Sequence, residues 1–558
     1  MSLDYHLTLV PHASRIEGEL RLPPGTHRLE SATWVPGAYA FLRYGRDLCD
    51  VRGADGRLLE RVGYTGFADA EDTVRFTAIL ADPAWTELAG TITSEYAIVH
   101  ATRLPFVRAL QDQPVRVRIT LPAGWSLHVP GNVPCAEGVL TFANFAAFFD
   151  TPLICGAFAE VVRDEDSAQI HHVCVERAVG QDTELAGFVD DMQKLVRVTR
   201  AALGPYPFER YSFVWGFDPR AEWGLEHANA TLVGVGPLAL VDPEARFAAL
   251  RVGVHEFLHA WNVCRLKPAA LMELDLVDGS FPGELWIAEG FTRYYEFLLM
   301  VRAGLCTPAR FFSNVARYYQ AVTERPAYAF TSPLDSSRAT FVNHTRYPNS
   351  PNTGVDYYAL GMLVAFDLDA QLQAKGESLD LVFRELYTRY LSVGYTHEQA
   401  CALFAEHGVD AASEASSPAG LTTLHQLERL GFTISEKERP VLGVVLDGDR
   451  VVHVLAGSGA EAAGIHPDDR LIAHDGNTFD AKALAWLIAH RASFEVVIRR
   501  GAHLHTRRVQ PKPKREPAAM RYSGASVELL ERWLGAPLAA GEVSLEHYDT
   551  FHGAERVV

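Results

Sequence analysis

Apolar and polar positions change rhythm twice along this chain. Over residues 1–165 they alternate in short runs, YHLTLV, PVRVRITL and GVLTFANF among them, separated by turn-forming stretches such as PPGTH, RGADG, LPAGW and VPGN. A period of two over so few residues predicts strands half buried against a core, and the region as a whole predicts a β-sandwich-like domain. From about residue 185 the period lengthens to that of a helix. DTELAGFVDDMQKLVRVTRAAL places apolar residues three and four apart, and Gly204 with Pro205 ends the run. One strand, RYSFVWGF, follows. Helical patterns then continue to about 408, through HEFLHAWN, ELWIAEGFTRYYEFLLMVRAG and YYALGMLVAFDLDAQLQAKG. This middle block is expected to be mostly α. Residues 410–420, DAASEASSPAG, are small and polar and read as a linker or surface loop. Strand patterns return in VLGVVLDG, RVVHVLA and FEVVIRR, and the tail offers one short helix, VELLERWLG.

The expected fold class is therefore a multi-domain α+β chain. An N-terminal β domain would span 1–165, a mostly helical domain 166–425, a further compact module 436–512, and a tail without a functional reading 513–558. The length of 558 residues supports this division, since one hydrophobic core does not grow so large. The net charge of −18, from 51 basic and 69 acidic residues, speaks against nucleic acid as the main partner. No apolar run approaches the ~20 residues of a membrane span. The start, MSLDYHLTLVPHAS, has no basic region followed by an apolar stretch, and the seven scattered cysteines form no CxxC pair. Both features lead us to expect a cytoplasmic protein with free thiols.

Chemistry concentrates at 255–262, HEFLHAWN. On a helix, His255 and His259 lie four apart on one face and can aim two imidazoles at one point, while Glu256 sits about 100° round the helix. Zinc takes neutral imidazole and carboxylate ligands, and a position left open holds water that the metal acidifies. A nearby carboxylate can take the proton, so HExxH supplies two ligands and a base. The plain alternative is a helix with two incidental histidines. A third ligand would come from a neighbouring helix, and Glu289 in LWIAEGFTRYYE is the candidate. Glu296, seven positions further and on the same face, could orient a histidine from behind.

HEFLHAWN followed by LWIAEGFTRYYE resembles the glycyl aminopeptidase family, gluzincin metallopeptidases with HExxH and a downstream glutamate as zinc ligands and a PDZ domain near the C-terminus. Three further stretches are similar to the family: WVPGAYAFLRYGRDL (34–48), WGLEHANA (223–230) and VDYYALG (355–361). The resemblance implies a thermolysin-like catalytic domain with one zinc per chain on His255, His259 and Glu289, and Glu256 as the general base. It puts Glu226 in the place that anchors the substrate amine, with Gly224 and His227 beside it, and Tyr358 in the place of the catalytic tyrosine. His227 reads almost equally well as a structural histidine. Leu360 departs from the pattern, because the family carries a lysine before the glycine of the tyrosine segment. GSGAEAAGIHPDDRLIAHDG resembles the core of a PDZ domain, with VLGVV (441–445) where a peptide C-terminus is received. That module reads equally well as a structural neighbour of the catalytic domain.

The expected activity is removal of a small first residue, glycine or alanine, from peptides with a free N-terminus. Two other readings stay open. One is a zinc endopeptidase of the same fold, in which Glu226 binds no amine. The other is a non-enzymatic scaffold that binds peptides through the PDZ-like module.

Overall fold

A computed structural model describes residues 2–86, 90–343, 347–549 and 557–558. Contacts divide the chain into two compact units, Met1–Pro282 with Tyr387–Tyr395, and Gly283–Leu386 with Thr396–Val558.

In the first unit, Leu3–Val10 runs antiparallel to Arg15–Leu29 and parallel to Val115–Thr120 within an eight-stranded sheet. Its alternation does what the sequence pattern predicts: Leu3, Tyr5, Leu7 and Leu9 are buried. A four-stranded sheet holds Thr91–Ile92, Tyr96–Val99, Leu153–Gly156 and Ser126–His128. Ala97, Val99 and Leu153 from this sheet share one apolar cluster with Leu3, Tyr5 and Leu7 from the other, so the two sheets close on a common core.

A third sheet in the same unit has the order Ala159–Glu165, Ala168–Cys174, Arg210–Phe217, Ala230–Val235, Trp223–His227. Its three middle strands are parallel and Trp223–His227 is an antiparallel edge. The sequence pattern identified only Arg210–Phe217 among these. Ala230–Val235 is buried at every position, and a strand covered on both faces shows no alternation to detect. The helix Gln181–Leu203 links two of the parallel strands, and the helix Pro243–Leu258 follows a third.

In the second unit the long helical pattern of 284–304 is interrupted. Leu285–Ala288 and Gly290–Arg302 are separate helices, and Glu289 stands between them with φ −102° and ψ −42°. The helices Pro308–Thr323 and Tyr357–Ala374 complete the core around them. The segment 410–420 is not a linker. Ala411–Ser416 is a short helix capped by Asp410, and Ala411, Glu414 and Ala415 are buried. Small side chains here permit close packing, which composition alone does not distinguish from exposure.

The chain after 512 is likewise built in. Lys512–Tyr522 pairs antiparallel with Phe432–Val441 and with Gly541–Val543. The helix Val527–Leu534 buries Leu530, Trp533 and Leu534. The Trp533 indole N–H lies 2.9 Å from both Asp369 Oδ2 and Tyr294 Oη, and its carbonyl accepts from Arg302 Nε at 3.1 Å. A separate sheet runs Val444–Asp447, Arg450–Val454, Arg470–His474, Phe494–Arg500, His503–Val509, with Val444–Asp447 at one edge of that path.

Candidate active site

The helix Pro243–Leu258 begins where Asp242 accepts a hydrogen bond from Ala245 N, with Pro243 in its first turn. From Ala249 to Leu258 every residue is buried, so the helix runs through the interior rather than across the surface. Phe257 fixes its rotation. Its ring meets Tyr211 edge-on at 5.0 Å between centroids and lies 5.4 Å from Phe213, both on the strand Arg210–Phe217.

His255 is on the last turn, and His259 is the residue that caps the helix, still in helical conformation with φ −62° and ψ −18°. Both are buried, and their ring centroids stand 4.9 Å apart. His259 Nδ1 lies 2.6 Å from the carbonyl oxygen of Asn262. A carbonyl only accepts, so Nδ1 carries the proton and Nε2 keeps its lone pair for a ligand. Sequence reasoning gave Asn262 no role. Its contribution is a main-chain oxygen, which any residue type would supply.

Glu226 and Gly224 are on the edge strand Trp223–His227, two apart and so on one face. Gly224 is pressed against the base candidate: a Cβ there would come within 2.3 Å of Glu256 Oε1. Glu226 is buried, and one ligand atom from each of Glu226, Glu256 and His259 lies within 4.8 Å of the others. Two carboxylates and an imidazole so close together, out of bulk water, favour a cation. His227 points elsewhere. Its Nδ1 lies 3.2 Å from Asp150 Oδ1, the same carboxylate accepts from Ala228 N at 3.0 Å, and its ring lies tilted against His100 at 5.3 Å between centroids. Burial and then the neighbouring His227 push His100 well below the usual imidazole range.

The phrase WVPGAYA also finds its place in this unit. Trp34 Nε1 donates to Asp275 O at 2.7 Å and Thr33 Oγ1 to Val277 O at 2.7 Å, which pin the loop. Gly37, at φ +90°, then reaches Glu226 so closely that a Cβ would lie 2.4 Å from Oε2. A loop of the N-terminal β region thus walls the Glu226 carboxylate.

Glu289, Glu296 and Tyr358 belong to the second unit. Glu289 is buried immediately before the helix Gly290–Arg302. Tyr358 lies in the first turn of Tyr357–Ala374, where Asp356 accepts from its N–H at 2.9 Å. Tyr357 is buried and stacks on Tyr358 at 4.8 Å, while Tyr358 is half-buried. Burial first, and Glu289 second, raise the Tyr357 hydroxyl well above the usual phenol range. Glu296 faces Arg293, whose Nη1 is 3.3 Å from Glu296 Oε1. The Arg293 guanidinium lies 5.4 Å from the centroid of the Tyr358 ring. Sequence reasoning passed over Arg293. Leu360 is fully buried.

Residues 248–364 match the model of the M61 glycyl aminopeptidase family. No curated protein matches the chain. Among solved structures, an aminopeptidase N family protein from Idiomarina loihiensis aligns with a TM-score of 0.87 at 19% identity, covering 95% of this chain and 100% of that one. An M1 zinc metallopeptidase from Deinococcus radiodurans aligns with a TM-score of 0.48 at 16% identity, covering 74% and 93%. The first of these likenesses shows a shared fold. Over residues 248–364, which include His255, Glu256, His259, Glu289 and Tyr358, the chain matches the M61 glycyl aminopeptidase family, and the resemblance carried by its motifs holds.

Proposed function

We propose that this protein is a zinc-dependent aminopeptidase that releases small first residues, glycine or alanine, from peptides with a free N-terminus. The observation that carries the reading is the buried Glu226 carboxylate beside Glu256 and His259. A peptidase that ignored the substrate's N-terminus would have no use for a second carboxylate there.

The donor chemistry fits zinc. Two buried imidazoles stand four residues apart, one with its Nδ1 proton fixed on a carbonyl and its other nitrogen left to bind. We assign His255, His259 and Glu289 to one ion per chain. Bound there, zinc would supply Lewis acidity, polarising a carbonyl and making water easier to deprotonate. The remaining roles are the chain's own. Glu226 receives the substrate ammonium by charge-assisted hydrogen bonds and so fixes which peptide bond is presented. Glu256 takes the proton of the attacking water and can pass it to the departing amine. Tyr358 donates its hydroxyl to the oxygen on which negative charge develops. Gly37 closes the space behind Glu226, which suits a small first residue. The module 436–512 we read as PDZ-like. Seven cysteines, all free, suit a reducing compartment, and we assign the protein to the cytoplasm. Among the described residues no helix is long and apolar enough to cross a membrane.

The test is a panel of glycyl and alanyl p-nitroanilides, free and N-acetylated, with and without a chelator. Wild type should cleave only the free substrates, and chelation should abolish cleavage. Glu226→Gln should lower kcat/KM for the free substrates by about 2–5 kcal/mol, the scale for losing one side of a desolvated charge pair, with zinc content unchanged. Equal cleavage of acetylated and free peptides would make this an endopeptidase and return Glu226 to a structural role.

A further inference from the structure

The edge strand Val444–Asp447 is not bare. Val445 pairs with Val557 in an antiparallel bridge, and Val558 N donates to Val444 O at 2.8 Å. Ahead of the strand, three successive main-chain donors turn toward one oxygen: Leu442 N, Gly443 N and Val444 N lie 3.0, 2.8 and 3.4 Å from Val558 O. Arg439 Nη2 adds a contact to Val557 O at 3.4 Å. The Val558 side chain packs against the apolar cluster that includes Leu442, Val444, Leu484 and Leu487, the last two from the helix Ala481–His490.

Each feature is one a peptide receptor uses. An edge strand offers unpaired N–H and C=O groups that an extended segment can satisfy whatever its sequence. Successive N–H groups turned inward form a concave nest that favours a negatively charged or strongly polar oxygen. The apolar pocket beside it then chooses the side chain. We propose that this groove is a peptide-binding site and that the chain's own Val557–Val558 segment occupies it in cis, in competition with other peptides that present a small aliphatic residue at the same place. This rests on the PDZ-like reading of 436–512 and names what fills the site. An occupant carried on the same chain acts at an effective concentration that does not depend on how much protein is present. Outside peptides therefore compete against it, and the groove answers only to a ligand that binds better or to release of the segment.

The experiment uses the full chain. A fluorescein-labelled decapeptide with the sequence of residues 549–558 and a free carboxylate is titrated by fluorescence anisotropy into wild type and Val558→Asp. The variant places a charge in the apolar pocket and should lose the cis contact. It should bind the labelled peptide at least about tenfold more tightly than wild type. The same peptide with aspartate in its last position should bind neither protein. Amide hydrogen exchange at Leu442, Gly443 and Val444 should be faster in the variant, and a thermal melt checks that both proteins are folded. Equal affinity for the labelled peptide, or unchanged exchange at those three amides, overturns the cis occupancy while leaving a peptide site in place. Binding to neither protein overturns the PDZ-like reading as well.

Discussion

A single methyl group at position 224 would collide with the base candidate. Alanine there would put its Cβ 2.3 Å from Glu256 Oε1, and the glutamate has buried neighbours along its helix. Gly224→Ala should therefore slow turnover by about 10²-fold through misplacement of Glu256, with zinc content unchanged. Glu256→Gln keeps the shape and removes the proton acceptor, and it should cost roughly 10²–10⁴-fold. Steady-state kinetics beside metal analysis checks both; wild-type turnover in Glu256→Gln would mean that another group is the base. At this scale, helix spacing alone predicts that His255 and His259 share a face with Glu256 beside them, and all three are buried at the end of one helix. The Asn262 carbonyl was not legible because a main-chain oxygen leaves no mark in residue type. The approach of Gly37 to Glu226 was hidden for another reason, since no pattern within a window of sequence reports a contact between residues so far apart in the chain.

Between elements, the helix Gly290–Arg302 sets a cation, Arg293, beside Tyr358 on the helix Tyr357–Ala374, whereas the family resemblance expects one from position 360. Leu360 is fully buried, and the Arg293 guanidinium stands over the Tyr358 ring instead. A cation there favours any charge that builds on the phenol. Arg293→Met should slow turnover by at least about tenfold, with a pH profile displaced on its alkaline side. That change also removes a charged partner of Glu296, which is completely buried, and breaking a buried pair costs about 3–5 kcal/mol. Arg293→Met with Glu296→Gln removes both charges and separates the effects. If the double variant melts like wild type and also turns over at the wild-type rate, the arginine has no part in catalysis. Elements were legible where their rhythm was exposed. The β alternation of 1–165 and the helices around HEFLHAWN were read correctly. The strand Ala230–Val235, the break at Glu289 and the helix Ala411–Ser416 were not, because full burial and small side chains erase the contrast between faces on which periodicity depends.

For the molecule as a whole, two buried carboxyls set a pH dependence. Burial raises Glu414 to about 7, and burial followed by the nearby Glu414 carries Asp367 well above the usual carboxylate range. Such groups hold protons in the folded state that the unfolded chain has already released. Stability therefore falls as pH climbs from the ordinary carboxylate range through about 7. Glu414→Gln needs no proton, so its advantage over wild type should grow from pH 5 to pH 8; melting curves across that range check it, and a constant difference would mean that Glu414 is ionised throughout. Composition gave the charge balance, but the part played by the last helix was not legible, since its apolar stripe says that it docks and not where. It docks by Trp533, whose indole bonds Tyr294 on one core helix and Asp369 on another. That gives the protein a clock. A nascent chain carries HEFLHAWN and Tyr358 well before Trp533 has been synthesised, and at about 5–20 residues per second roughly 10–30 seconds separate the synthesis of Asp369 from that of Trp533. The helices that carry Tyr294 and Asp369 settle only when translation has passed residue 534, so a peptidase built this way matures late, after most of its own chain has left the ribosome.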